Sequence, residues 1–129
     1  MAAACRKDTN TDEPSPAPVP LTPYTIKYPN YFPSLSIPSD NPLTLEGINL
    51  GRYLYYDTIL SNNGRSCSGC HSQNESFSLS SVNSLPHINL GWNTNFLWNG
   101  KISGGVEDIM KFEVEIFFMS KSGLPLFFL

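Results

Sequence analysis

Two stretches of the chain repeat apolar or small residues at helical spacing. In the first, Gly47, Leu50, Gly51 and Leu54 stand at i, i+3, i+4 and i+7, one face of a helix. Thr44 is a fitting N-cap and Glu46 an acidic first-turn residue, so a helix is expected from Thr44 to about Tyr56. Two glycines on that stripe lower helix propensity but allow close approach, either by another helix or by a flat cofactor. In the second stretch Ile109, Phe112, Ile116 and Met119 recur at i, i+3, i+7 and i+10, an expected buried face. Ser103 reads as its N-cap, with Glu107 and Asp108 in the first turn. Between these helices the pattern breaks down. Residues 57–66 are turn-rich, 72–83 form a polar loop, and 85–98 are irregular around Pro86. No internal repeat is present.

Composition changes the picture at the start of the chain. Nine of the 11 prolines lie between Pro14 and Pro42. Proline lacks an amide donor and fixes φ, so the run over residues 12–20 reads as an extended, solvated tether. The organisation expected is a disordered tether over 1–40, an incomplete packed domain over 41–119 and an atypical tail over 120–129. Tyr24, Tyr28, Tyr31 and Phe32 are expected to mark places where the tether lies against the domain surface. A packed region of roughly 80 residues is marginal without a staple. The net charge of −3 in 129 residues points away from nucleic acid, and no apolar run approaches the roughly 20 residues of a membrane span.

The staple is suggested by Cys67-Ser68-Gly69-Cys70-His71. C-x-x-C-H is the attachment signature of c-type haem: two thiols add across the vinyl groups and the histidine becomes the proximal iron ligand. With 3 Cys and 2 His in the chain, chance produces the pattern in roughly one such chain per thousand. A redox dithiol is a competing reading, but one is expected after a strand and before a long helix. Here the approach is polar (Ser61-Asn62-Asn63-Gly64-Arg65-Ser66). A structural zinc site needs a fourth ligand from Cys5, His87 or a carboxylate. A haem fits best. His87 reads as a loop residue beside Pro86 in preference to a sixth ligand, and Met110 and Met119 as packing residues in preference to axial ligands.

Covalent haem of this kind implies a periplasmic or cell-envelope location. Residues 1–4 are too short for a signal peptide. Ala3-Ala4-Cys5 before a polar, proline-rich segment resembles the end of a lipoprotein signal, so Cys5 is a candidate acylation site if translation begins upstream. Membrane association is expected only through that lipid.

In order along the chain, four blocks resemble the bacterial di-haem cytochrome c peroxidase family, including its methylamine-pathway relatives. Asn41-Pro42-Leu43-Thr44 with GINLGRYLYYD resembles the opening helix, and LSNNGRSCSGCH the lead into the first haem site. Asn83-Ser84-Leu85-Pro86 with Ile88-Asn89-Leu90-Gly91-Trp92-Asn93 resembles the next block, and Phe96-Leu97-Trp98-Asn99-Gly100-Lys101 the family's F-x-W-D-G-R. The fold implied is mainly α: a small c-type cytochrome-like helical domain with long irregular loops behind the Pro-rich tether. The resemblance implies that Cys67 and Cys70 hold the peroxidatic haem c, with His71 as its proximal ligand. It implies that Trp98 relays electrons between two haems, where a lone tryptophan would otherwise be read as a core anchor. It also implies that Asn83 helps bind calcium, although one carbonyl is a weak signal for an ion wanting 6–8 oxygens.

The activity implied is reduction of hydrogen peroxide to water with electrons from a small cytochrome c or cupredoxin. The alternatives are a single-haem electron carrier and a non-haem metal module. Departures from the family are as informative. A second C-x-x-C-H, expected in a C-terminal haem domain, does not occur in this sequence. The loop after the motif is shorter than usual and lacks a segment that supplies a distal histidine in some members. The family's distal glutamate falls near Phe118, and its role is not carried over to Glu113 or Glu115. Residues 120–129 match nothing in the family, so a truncated or frame-shifted product is expected, able to bind haem but with little donor-coupled turnover alone.

Overall fold

The computed structural model of the chain describes residues 18–117. The expectations for Cys5, Phe118, Met119 and the tail over 120–129 fall outside those residues. Among the described residues there are two α-helices and one two-stranded sheet, joined by long irregular connections with short 3-10 turns. The helical share is smaller than a mainly α domain implies: α1 (Leu45–Tyr56) has 12 residues and α2 (Val106–Phe112) has 7.

Helix α1 begins where its cap dictates. Thr44 is extended, and its hydroxyl accepts a hydrogen bond from the Gly47 amide at 3.0 Å, satisfying one of the helix's orphan donors. At the other end Asp57 leaves helical geometry, and its carboxylate accepts from the Ile59 amide at 2.8 Å. Of the expected stripe, however, only Leu54 turns inward. Gly47, Leu50 and Gly51 are exposed, and the half-buried side chains of α1 are Ile48, Leu54 and Tyr55. The rotation follows from Tyr55, whose hydroxyl reaches across to the C-x-x-C-H turn.

The second helix starts later than expected. Ser103 belongs to a strand: β1 (Asn95–Phe96) pairs antiparallel with β2 (Ile102–Ser103), Asn95 opposite Ser103 and Phe96 opposite Ile102. The Ser103 hydroxyl donates to Asn95 Oδ1 at 3.0 Å instead of capping a helix. Gly105 takes the N-cap, and the Asp108 carboxylate accepts from its amide at 2.8 Å. Gly104 lies at φ 132°, and a Cβ there would stand 2.1 Å from Asp108 Oδ2, so this turn requires glycine. Beyond Phe112 the chain continues as a π-helical segment, Glu113–Phe117, so the expected i, i+3, i+7, i+10 face is interrupted. Phe96, Ile109 and Val114 are the buried apolar side chains among the described residues, so the core joins β1, α2 and the π segment.

Residues 18–40 contain no helix, yet they are held at two points. Pro23 bridges Thr44, with the Tyr24 amide donating to Leu43 O and the Leu45 amide to Thr22 O, both at 2.9 Å. Further on, Tyr28 and Phe32 pack edge-on against Trp92 at centroid distances of 5.2 and 4.9 Å, whereas Tyr24 and Tyr31 are exposed. No helix among the described residues is long and apolar enough to cross a membrane.

Candidate haem site

The approach to the motif is knotted around one hydroxyl. Ser61 is buried, and its Oγ accepts from the amides of Asn63 and Arg65, each at 3.1 Å. Gly64, at φ 72°, supplies the left-handed turn inside that loop. Cys67–Gly69 then forms a 3-10 turn, in which the Cys67 carbonyl accepts from the amides of both Cys70 and His71. This winding brings two thiols three positions apart and the next imidazole onto one short turn. It follows a loop and precedes no long helix, unlike the setting of a redox dithiol.

Cys67 and Cys70 are free thiols, both half-buried. Burial pushes the Cys67 thiol up, and the nearby Glu113 carboxyl and Cys70 add to the effect. Glu113 is itself half-buried and its carboxyl is raised by burial. His71 Nδ1 lies 3.1 Å from the Phe77 carbonyl. A carbonyl only accepts, so Nδ1 carries the proton and the Nε2 lone pair is left for a metal. The Phe77 carbonyl is aimed by two successive left-handed residues, Ser76 (φ 58°) and Phe77 (φ 57°). Such backbone costs about 1–3 kcal/mol per residue and persists only where its surroundings enforce it. Here the Phe77 amide donates to Ser72 O at 2.8 Å and the Ser72 amide to Ser78 O at 2.9 Å.

His87 lies against His71, with ring centroids 3.5 Å apart and planes 16° from parallel. A ring stacked face-on to His71 does not stand in line with the Nε2 lone pair, which lies in the plane of the His71 ring. Tyr55 Oη lies 3.0 Å from the His71 carbonyl and 3.3 Å from His87 Nδ1. The hydroxyl's one proton goes to the carbonyl, so His87 Nδ1–H is the donor to Tyr55. Burial, with His71 adjacent, lowers His87 to about 4, and burial raises Tyr55. Both are neutral at pH 7. The donor set therefore fits a c-type haem: two unlinked thiols and an imidazole with its outer nitrogen already tied. Among the described residues no three His, Cys, Asp or Glu side chains gather as a metal site of their own.

Two other singled-out residues meet elsewhere. The indole of Trp98 donates to the Asn83 carbonyl at 3.1 Å. Trp98 is 71% exposed, so it is not a core anchor. Met110 is half-buried on α2. The sequence carries little trace of the parts played by Tyr55, the Phe77 carbonyl and the stacked His87. Its only available signal was a tyrosine pair closing a helix, which does not say what lies opposite.

Residues 45–115 match the di-haem cytochrome c peroxidase family. The chain belongs to that family. Among curated proteins it is similar to methylamine utilization protein MauG of Methylorubrum extorquens, 33% identical over an 81-residue alignment covering 53% of this chain and 23% of the relative. It is also similar to methylamine utilization protein MauG of Methylophilus methylotrophus, 32% identical over 81 residues, with 53% and 24% covered. The chain thus spans about a quarter of the length of the curated relatives it matches. No solved structure matches it. Membership in a di-haem cytochrome c peroxidase family implies haem c as the cofactor, in keeping with the donor set at Cys67, Cys70 and His71.

Proposed function

We propose that these residues form the peroxidatic haem part of a di-haem cytochrome c peroxidase, exported to the periplasm or cell envelope, with Cys5 as its point of lipid attachment. The reaction is reduction of hydrogen peroxide to water, with electrons from a small cytochrome c or cupredoxin. One observation carries the reading: two free thiols, Cys67 opening a 3-10 turn and Cys70 capping its end, stand beside a histidine whose Nδ1–H is held by the Phe77 carbonyl. When bound, haem supplies the iron chemistry that reduces the O–O bond. Cys67 and Cys70 would hold it by thioether bonds, each S–H adding across a vinyl group. His71 presents Nε2 as the proximal ligand, and the hydrogen bond to Phe77 raises its basicity and fixes its tautomer. Trp98, exposed and tethered to Asn83, would relay electrons from a second haem. Asn83 would contribute an oxygen to a calcium ion.

The test is expression of the chain with a secretion leader and c-type maturation machinery. The expected product has a Soret band and keeps its haem on a denaturing gel. C67S and C70S each lose one thioether, and the double variant loses covalent haem. Because the sequence carries one C-x-x-C-H, peroxide turnover with reduced cytochrome c is expected to be slight. Matured protein without a Soret band refutes the haem reading, and brisk donor-coupled turnover refutes the dependence on a second haem.

A further inference from the structure

We propose that Tyr55 and His87 are positioning residues for the iron ligand, locking the plane of the His71 ring. The inference rests on His71 being the proximal ligand. A hydrogen bond from Nδ1 to the Phe77 carbonyl, 3.1 Å long, fixes the tautomer but acts at one edge of the ring. It leaves the ring free to tilt about that edge. His87 removes this freedom by lying on the face of His71 at 3.5 Å and 16°.

The stacked ring is itself held. Its backbone amide donates to the same Phe77 carbonyl at 3.1 Å, and its Nδ1–H donates to Tyr55 Oη at 3.3 Å. Tyr55 in turn donates to the carbonyl of His71 at 3.0 Å. The contacts close a ring: His71 carbonyl, Tyr55 hydroxyl, His87 imidazole, His71 imidazole. Three separate parts of the chain meet in it, α1, the motif turn and the loop after Pro86. None of these contacts uses His71 Nε2, so the lock is compatible with ligation. Outer-shell groups that orient a ligating histidine tune the metal as well as hold it.

The experiment uses the full haem-loaded chain and its H87A, H87F and Y55F variants, with cyanide added to the ferric protein as the probe. The low-spin EPR signal and the midpoint potential are read. Wild type is expected to give one narrow low-field signal. In H87A that signal broadens and shifts, with a shift in potential. H87F keeps a flat ring on His71 and restores most of the narrow signal. Y55F moves both readouts in the direction of H87A by a smaller amount. Wild-type g values and potential in H87A and Y55F, at equal haem content, overturn the proposal. If H87A does not fold, Y55F decides alone, and a wild-type signal there overturns it. Absence of haem from the wild-type chain refutes the haem reading and this inference together, whereas unresponsive variants with haem attached refute only the positioning role.

Discussion

Around Thr44 two side chains settle where a helix begins and what lies over it. Thr44 Oγ1 accepts from the Gly47 amide, while Glu46 Oε2 accepts from the Thr22 amide at 2.8 Å. The Thr22 amide is the chief reason that the Glu46 carboxyl is held below its ordinary value of 4.5. A depressed carboxyl contributes stability above its unfolded value, and that contribution is lost as pH falls through the lowered one. The Thr22 amide resonance is therefore expected to titrate below pH 4.5, and to lose that titration in E46Q. A Thr22 amide that titrates at the ordinary carboxylate value, or not at all, contradicts the contact. Thr44 and Glu46 were legible as cap and first-turn residues, and Cys67, Cys70 and His71 as one local motif, because both signals act over a few residues. The Tyr55–His87 contact was not, since its partners are 32 residues apart and no local spacing links them.

The same division holds for whole elements. Helix α1 was placed within a residue at each end, because Thr44 caps it and Asp57 stops it. Its inward side was only partly legible, since of Gly47, Leu50, Gly51 and Leu54 only Leu54 is half-buried. The hairpin escaped notice because strands of two residues are too short to show an alternating pattern, and the glycine pair at 104–105 displaced the expected cap. The exposed stripe makes a prediction. A Cβ at Gly51 meets nothing within 4 Å. G51A in the haem-loaded chain is expected to gain about 0.5–1 kcal/mol in chemical denaturation, the usual cost of glycine in a helix interior. At Gly47 a Cβ would stand 3.0 Å from the capping Thr44 Oγ1, so G47A is expected to gain less. A loss of haem content in G51A would place the stripe against the macrocycle.

Among the described residues the buried apolar core joins Phe96, Ile109 and Val114, and contacts between segments distant in the chain add to it. Residues 18–40 are a clear case. They join the domain at the Pro23–Thr44 bridge and again at Trp92. There the indole donates to the Pro33 carbonyl at 2.9 Å, and Gly91 lies so close to Leu35 that a Cβ would stand 2.6 Å from its Cδ1. Each edge-on aromatic pair contributes about 0.5–1.5 kcal/mol beyond the area it buries, and the hydrogen bond about 1 kcal/mol. W92A removes both aromatic pairs and the bond while leaving the Pro23 bridge in place. Lys27 lies between the two anchor points, so trypsin reports on the release. Cleavage after Lys27 is expected to rise at least about tenfold in W92A, since the lost contacts sum to well over the 1.4 kcal/mol that a factor of ten requires. Cleavage at Arg52, in α1, serves as the internal reference and is expected to stay near its wild-type rate. W92F, which keeps a ring for Tyr28 and Phe32 but no donor, is expected to fall between the two. Unchanged cleavage at Lys27 in W92A would mean that the Pro23 bridge alone holds the segment.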